Sequence, residues 1–299
     1  MVSVILILTT TIFFPGLIFR FRSILSGRKG PGIVQPWKDI FLLLRKSSVF
    51  STTSSYILQA APTISLSCVL SSIVLIPCGN YEALTSFEGD FILFSFLLAM
   101  SRFFIILNAL DTGSSFEGMG ANREVLYNLL LEPALFFIVG TLSYTTGYTS
   151  FTKIFSYFHL TNINNWITAL VSTYLLIQII MIENSRMPVD DSRTHLELTM
   201  IHEVMILDNS GWDLALIKIS THLKFAIYGL IISNFYINLS ENIFVKTFIF
   251  ISIQLIFITM AAVFESFRAR NKMSRNPQFI ITLSAIGFLA FVLSIITKL

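Results

Sequence analysis

Charged side chains are scarce in this chain: Asp, Glu, Lys and Arg together make up 12% of its 299 residues. A typical soluble domain carries about 25% charged residues, and here 54% of the residues are hydrophobic. This composition argues against a soluble globular protein and predicts a single membrane domain, residues 1–299. The net charge of +3 is too small to indicate nucleic-acid binding, and no basic tract with interleaved aromatic residues occurs.

Cysteine is nearly absent, and the two cysteines do not form a CxxC pair. Cys68 and Cys78 are ten positions apart in one apolar run, about 15 Å on a helix, beyond the ~7 Å Cα separation of a disulfide. We therefore expect packed thiols, and no iron–sulfur cluster or zinc ion held by this chain. His202 and Glu203 begin like an HExxH zinc motif, but Ile206 replaces the second histidine, which favours a structural role.

A secretory signal sequence is also missing, because no positive charge precedes the first apolar run and no small-residue cleavage site follows it. We expect that run to be a retained first span. Eight runs are long enough to cross about 30 Å of hydrocarbon, and at this length only helices satisfy the backbone in lipid. The predicted fold is all-α, with eight membrane helices at residues 2–19, 56–77, 91–110, 125–146, 164–182, 212–237, 243–264 and 279–297.

Lysine and arginine are distributed unevenly over the predicted loops. Residues 20–46 contain seven of them and residues 268–275 contain four, whereas residues 78–90 contain none and residues 147–163 contain one. The positive-inside rule places the two basic segments on the cytoplasmic side of a cell inner membrane. With eight spans, both termini are then expected on the outer side.

A short amphipathic helix is predicted on the inner side at residues 37–45, where Lys38 and Asp39 precede an apolar run. Two interpretations of this surface remain open, contact with anionic lipid and docking of a soluble partner. The residues predicted to form the docking surface are Arg28, Lys29, Gln35, Lys38 and Asp39.

The most unusual stretch is residues 183–211, ENSRMPVDDSRTHLELTMIHEVMILDNSG, which concentrates ionisable side chains between two apolar runs. Charge near a bilayer is costly, so this block indicates a functional site. Pro188 ends the fifth span, and helical periodicity beyond it places Glu197 and Asp208 on one largely apolar face. Carboxylates buried there would hold protons more tightly, as a proton relay requires. For Glu197, a capping box with Thr194 is the alternative.

Ionisable residues also occur inside the predicted spans. Arg102 and Glu132 each lie about 12–14 Å from the inner edge when counted along their helices, so we expect them to pair. Two roles stay open for this pair, a structural salt bridge and an element of a proton relay. Lys224 lies in the inner half of the sixth span, and Glu183 and Glu265 stand at the inner ends of the fifth and seventh. Together they predict an inner-leaflet cavity lined by titratable groups of both signs.

Four blocks carry a resemblance that extends over nearly the whole chain. They are GRKGPGIVQPWKDIFLLLRK at residues 27–46, ALDTGSSFEGMGANREVLYNLLLEP at 109–133, the block at 183–211, and ESFRARNKMSRNP at 265–277. The chain resembles the membrane subunits of group 4 NiFe hydrogenases, namely hydrogenase 4 component C and formate hydrogenlyase subunit 4. That family is similar to the quinone-site membrane subunit of respiratory complex I, which is also called NADH dehydrogenase subunit 1. The HLELTM run favours the hydrogenase branch.

The complex I comparison implies roles for individual residues. Its ExxRxPxD motif, which lines the quinone chamber and the acidic channel leading from it, matches the residues from Glu183 to Asp190. A further arginine and glutamate of that subunit match Arg123 and Glu132. The full set of predicted proton- or ion-coupling residues is Asp111, Glu124, Glu132, Glu183, Asp190, Glu197, Glu203, Asp208, Lys224 and Glu265. The predicted charge partners are Arg102, Arg123 and Arg186.

The resemblance implies a coupling subunit that has no catalytic site and binds no cofactor itself. Its expected partners are soluble hydrogenase large and small subunits and an iron–sulfur protein, which would carry the NiFe centre and the clusters. Antiporter-like membrane subunits would move protons or other ions, and lipid would surround the spans. Three alternatives stay open: a complex I-type subunit that binds quinone, an ion-translocating complex without an active nickel site, and a stand-alone transporter. The inverted repeat and broken helix pairs of such a transporter are not evident.

Overall fold

The computed structural model of the protein describes residues 2–51, 54–79, 81–190 and 200–298. Within these ranges the chain forms eleven α-helices and two 3₁₀ turns, and no β-strand. The α-helices are α1 (Val2–Leu25), α2 (Gln35–Leu44), α3 (Tyr56–Ile73), α4 (Asp90–Asp111), α5 (Ser115–Thr146), α6 (Phe151–Tyr157), α7 (Ile163–Glu183), α8 (His202–Met205), α9 (Gly211–Asn234), α10 (Ile243–Phe267) and α11 (Asn276–Lys298).

The predicted all-α membrane architecture is confirmed, because eight helices in the described residues are long and apolar enough to cross a bilayer. They are α1, α3, α4, α5, α7, α9, α10 and α11. Two helices extend well beyond the predicted bounds: α1 continues to Leu25, and α5 begins at Ser115 rather than at residue 125. In both cases hydropathy marks the edge of the apolar run, whereas the helix itself continues through charged residues. The 32 residues of α5 make it about 48 Å long.

The most deeply buried span is α9, which packs against α1, α2, α3, α7 and α10. Its Phe225 ring stacks on Phe257 of α10 with centroids 4.7 Å apart, and it meets Phe14 of α1 edge-on at 6.0 Å. Two further pairs, α3 with α4 and α5 with α11, pack along their lengths. The N-terminal half of α9 therefore lies where the helices that carry the ionisable residues meet.

The predicted amphipathic helix is present as α2, and it is docked on the bundle. After α1 the chain reverses and runs back along it, so that the indole nitrogen of Trp37 donates to the carbonyl oxygen of Thr11 at 3.2 Å. Gly16 permits this approach, since a Cβ there would lie 1.6 Å from the carbonyl oxygen of Ile33. The opposite face of α2 exposes Phe41 and Leu42. One face of α2 thus contacts the protein and the other is free for lipid or a partner.

The sequence predicted helical structure through the acidic block after Pro188. This prediction is wrong for the part of the block that the structure describes, where only the single turn α8 is helical. The Asp190 carboxylate supplies the reason: its Oδ2 accepts hydrogen bonds of 3.2 Å from the backbone amides of both Ile201 and His202, which starts a new turn there. Asp208 is exposed, not on a buried face. Glu197, with the capping box predicted for it, lies outside the described residues.

Candidate functional site

A buried arginine on α4 contacts two carboxylates from neighbouring helices. Nη1 of Arg102 lies 3.1 Å from Oε1 of Glu183 at the end of α7, and Nη2 lies 3.4 Å from Oε1 of Glu132 on α5. Asn128 accepts a further bond of 3.4 Å from Nη1. The predicted pairing of Arg102 with Glu132 is therefore present. Sequence analysis missed that Glu183 shares the same guanidinium.

Glu183 is the last residue of α7 and lies inside the protein, where it pairs with Arg102. Its Oε1 accepts a hydrogen bond of 2.8 Å from the hydroxyl of Tyr228 on α9. The helix can end there because the following segment folds against α9, where the Asn184 amide donates to the carbonyl oxygen of Thr221 at 3.2 Å. Oε2 of Glu183 is buried and has no hydrogen-bond partner among the described residues.

A buried pocket of about 20 Å³ adjoins this carboxylate. Arg102, Glu124, Glu183, His202 and Lys224 supply its ionisable lining. The volume suits one water molecule, because a water needs at least about 10–15 Å³ measured in this way and two to four polar partners. Two predicted coupling residues, Glu124 and Lys224, thus meet Glu183 here.

A second and larger space, the inner cavity, has a volume of about 270 Å³ and lies between α1, α2, α9, Glu265 of α10 and the described segments 184–190 and 202–206. Oε2 of Glu265 lies 3.0 Å from Nη1 of Arg22, and its Oε1 pairs with Arg186. Asp190, also in the lining, forms a 3.0 Å ion pair with Arg270. Predicted site residues from distant parts of the sequence therefore line one space, and Glu203 joins them.

His202 lines both the inner cavity and the buried pocket. Burial lowers the pKa of its imidazole to about 4, and the charge of nearby Lys224 adds to this effect. The ring is therefore neutral near pH 7. The sequence pattern around His202 predicted a structural role, and His202 is not among the predicted coupling residues.

Three predicted site residues lie apart from these spaces. The Asp111 carboxylate caps the start of α3, accepting hydrogen bonds from the Ser55 amide at 2.8 Å and the Ser55 hydroxyl at 2.6 Å. Arg123 donates to the carbonyl oxygen of Met200 at 3.2 Å and so holds the chain just before α8. Asp208 is exposed. These contacts are structural, and a coupling role for the three residues stays a prediction.

Tyr228 and Glu117 are buried polar residues that sequence analysis missed. Tyr228 follows Lys224 by four residues, so the helical spacing alone places both on one side of α9. Glu117 accepts a hydrogen bond of 3.1 Å from the Asp208 amide, a contact between positions 91 residues apart that no local pattern could indicate.

The five predicted docking residues are all exposed on the surface around α2. Within that surface, Gln35 donates to Oδ1 of Asp39 at 2.9 Å, one helical turn away. Among the described residues, no group of three His, Cys, Asp or Glu side chains is placed to hold a metal ion. Both cysteines are free thiols.

The sequence that forms these eight helices matches a known family. Residues 1–295 match the family profile described as NADH dehydrogenase. The chain belongs to the NADH dehydrogenase family. The chain is also 32% identical over 225 residues to hydrogenase-4 component C of Escherichia coli (strain K12), an alignment that covers 74% of this chain and 69% of that protein.

Two further similarities are consistent with this family assignment. The chain is 32% identical over 133 residues to formate hydrogenlyase subunit 4 of Escherichia coli (strain K12), covering 44% of this chain and 43% of that protein. Its fold is similar to a chain of the membrane-bound sulfane sulfur reductase, an archaeal respiratory membrane complex. That similarity has a TM-score of 0.81 at 18% identity and covers 98% of both chains. At this identity the structural match shows the fold alone.

Proposed function

We propose that this chain is the membrane subunit that couples a soluble redox arm to ion movement in a complex like hydrogenase 4. The arm would carry the NiFe centre and iron–sulfur clusters on its own subunits, and antiporter-like membrane subunits would move the ions. The family and the identity to hydrogenase-4 component C support this assignment. The chain itself would hold no redox group.

The observation that carries the proposal is the grouping of carboxylates around shared cations inside the bundle. Glu132 and Glu183 share Arg102, and Glu124 and Lys224 line the pocket next to them. Carboxylates this close interact, because a negative charge on one makes a negative charge on the next more costly. A change in charge at the inner cavity can therefore alter proton occupancy deeper in the protein.

The inner surface supports attachment of a soluble arm. Arg28, Lys29 and Lys38 are exposed there, beside the exposed apolar residues Phe41 and Leu42 of α2. A mixture of basic and large apolar side chains suits both anionic lipid and a protein partner.

The side of α5 supports contact with a membrane partner. The Glu132 side chain is 40% exposed, on a surface where Leu129 and Phe136 are also exposed. A carboxylate that faces lipid at this depth is costly. A neighbouring membrane subunit that covers this surface would remove the cost and could receive a proton from Glu132.

Neutralising Glu132 tests the proposal. In the purified complex reconstituted into vesicles, Glu132→Gln should lower hydrogen-linked proton translocation by about tenfold or more, since a proton-transfer group typically contributes a factor of 10²–10⁴. Pull-down of the soluble subunits should show intact assembly. Glu88→Gln is the matched control, because Glu88 is 80% exposed and pairs with Lys153 in an outer loop. The same loss is expected for Glu197→Gln, and full activity in both the Glu132 and Glu197 variants would refute the coupling role.

Quinone binding is a second candidate function, and the inner cavity favours it. Its 270 Å³ approaches the lower end of ligand-pocket volumes, about 300–1,000 Å³, and Pro15, Ile18 and Phe225 give it an apolar side. Quinone that co-purifies with the complex, together with loss of activity to quinone-site inhibitors, would establish this function. The nickel content of the complex would show whether its soluble arm has an active hydrogenase site.

A further inference from the structure

His202 is the titratable side chain shared by the inner cavity and the buried pocket in the part of the chain that the structure describes. Ile217 and Thr221 also line both spaces, but neither side chain exchanges protons near neutral pH. The inner cavity contains the ion pairs of Glu265 and Asp190, and the buried pocket contains Glu183, Glu124 and Lys224. The imidazole therefore lies at the boundary between two sets of charged groups.

The backbone, and not the imidazole, fixes the position of this residue. The His202 amide donates to Oδ2 of Asp190 at 3.2 Å, and Asp190 is in turn paired with Arg270. No hydrogen bond joins the ring nitrogens of His202 to another residue that the structure describes. A neutral imidazole offers one N–H donor and one acceptor nitrogen, so both ring nitrogens are available to water.

The buried pocket supplies the next partner. It can hold one water molecule. Glu183, which is 4% exposed, lines the pocket, and its Oε2 has no hydrogen-bond partner among the described residues. A buried carboxylate oxygen without a partner is costly, and a water in the pocket would satisfy it. The sequence of groups is then cavity water, His202, pocket water and Glu183.

We propose that His202 passes protons between the inner cavity and Glu183 through one water in the buried pocket, an inference that rests on the proposed coupling function. The unprotonated ring nitrogen takes a proton from water in the inner cavity, and the N–H of the other nitrogen gives its proton to the pocket water. That water passes a proton to Glu183, whose carboxylate becomes neutral. The imidazole is left neutral in its other tautomer, and rotation of the ring restores the first. No electron moves, and the net result is the transfer of one proton from the inner cavity to Glu183.

Two substitutions at His202 separate a relay from a purely structural role. In the reconstituted complex, His202→Gln keeps a polar side chain but cannot accept and release protons, so proton translocation per turnover should fall by about tenfold or more. Proton translocation by the His202→Ala complex should fall as far. Added imidazole should restore it, because this small molecule can enter the vacated space from the inner cavity. His159→Gln is the comparison variant: His159 is exposed in the segment between α6 and α7 and lines neither space, and its variant should stay close to the wild-type rate.

The proposal is overturned if His202→Gln translocates protons at the wild-type rate, or if imidazole fails to rescue an assembled His202→Ala complex. Loss of assembly in both variants would also overturn it, in favour of a structural role. Glu132→Gln measured in the same vesicles distinguishes this failure from failure of the proposed function. If Glu132→Gln loses translocation while His202→Gln keeps it, only the relay is wrong; if both keep it, the coupling function itself is wrong.

Discussion

Arg102 neutralises two carboxylates at once, so its removal should be more damaging than the loss of one ion pair. Arg102→Met would leave Glu132 and Glu183 without their shared cation. Glu183 is buried, and a buried charge without its partner costs about 3–5 kcal/mol. The thermal midpoint of the purified chain in detergent should fall clearly. Lys153→Met removes an exposed pair with Glu88 and should leave the midpoint nearly unchanged. Equal midpoints for the two variants would show that Arg102 stabilises the bundle no more than a surface pair does.

His202 should make stability depend on pH in a defined window. In the unfolded chain an imidazole has a pKa of about 6.5, whereas burial lowers the folded pKa to about 4. Between these values the unfolded state binds a proton that the folded state does not. The free energy of unfolding should therefore fall as pH falls through this window, and the contribution of His202 should be constant above it.

The comparison of wild type with His202→Gln isolates this effect. Between about pH 7.5 and about pH 5, the thermal midpoint of the wild type should fall by more than that of the variant. An identical fall in both proteins would mean that the folded ring titrates normally.

Two glycines of the helix α5, Gly118 and Gly120, should respond to alanine substitution in opposite ways. A Cβ on Gly120 would lie 2.8 Å from the carbonyl oxygen of Ile201 and 3.0 Å from Cγ of Met205, so Gly120→Ala should push α8 away and cost about 1–3 kcal/mol. Gly118 has nothing within 4 Å of such an atom. Gly118→Ala should raise stability by about 0.5–1 kcal/mol, because glycine is unfavourable inside a helix. Thermal unfolding of both variants checks the opposite signs.

The spans could be predicted from sequence because an apolar run is a local property: α3 begins at Tyr56 and α10 at Ile243, both as predicted. The Arg102–Glu132 pair followed from counting helical turns. The pairing of Glu183, at the end of α7, with Arg102 could not be predicted in this way. It depends on where the segment after Glu183 packs, and α8 depends on Asp190 bonding to amides eleven and twelve positions later. Such contacts depend on the tertiary fold.

At the scale of the whole molecule, the charge distribution predicts the orientation in the membrane. The basic loops, including Lys272, should face the cytoplasm. The short helix α6, which carries Lys153, should face outward, as should both termini. In a background with both cysteines replaced by alanine, Lys153→Cys should react with a membrane-impermeant thiol reagent in intact cells. Lys272→Cys should react only after lysis. Both side chains are solvent-exposed, so the opposite labelling pattern would reverse the assignment.

The length of α5 has a mechanical consequence. At about 48 Å it exceeds the ~30 Å hydrocarbon layer. We therefore expect its first turns to project beyond the lipid; these turns contact α8 at Gly120 and the chain just before α8 through Arg123. From Ser115 to Glu132 no proline interrupts it, and Pro133 comes directly after the carboxylate. This part of α5 can tilt as a rigid lever, with any bend falling beyond its far end. A force applied at the projecting end would therefore shift Glu132 relative to Arg102. Motion at the membrane surface would in this way change the distance between the carboxylate and the guanidinium inside the bundle.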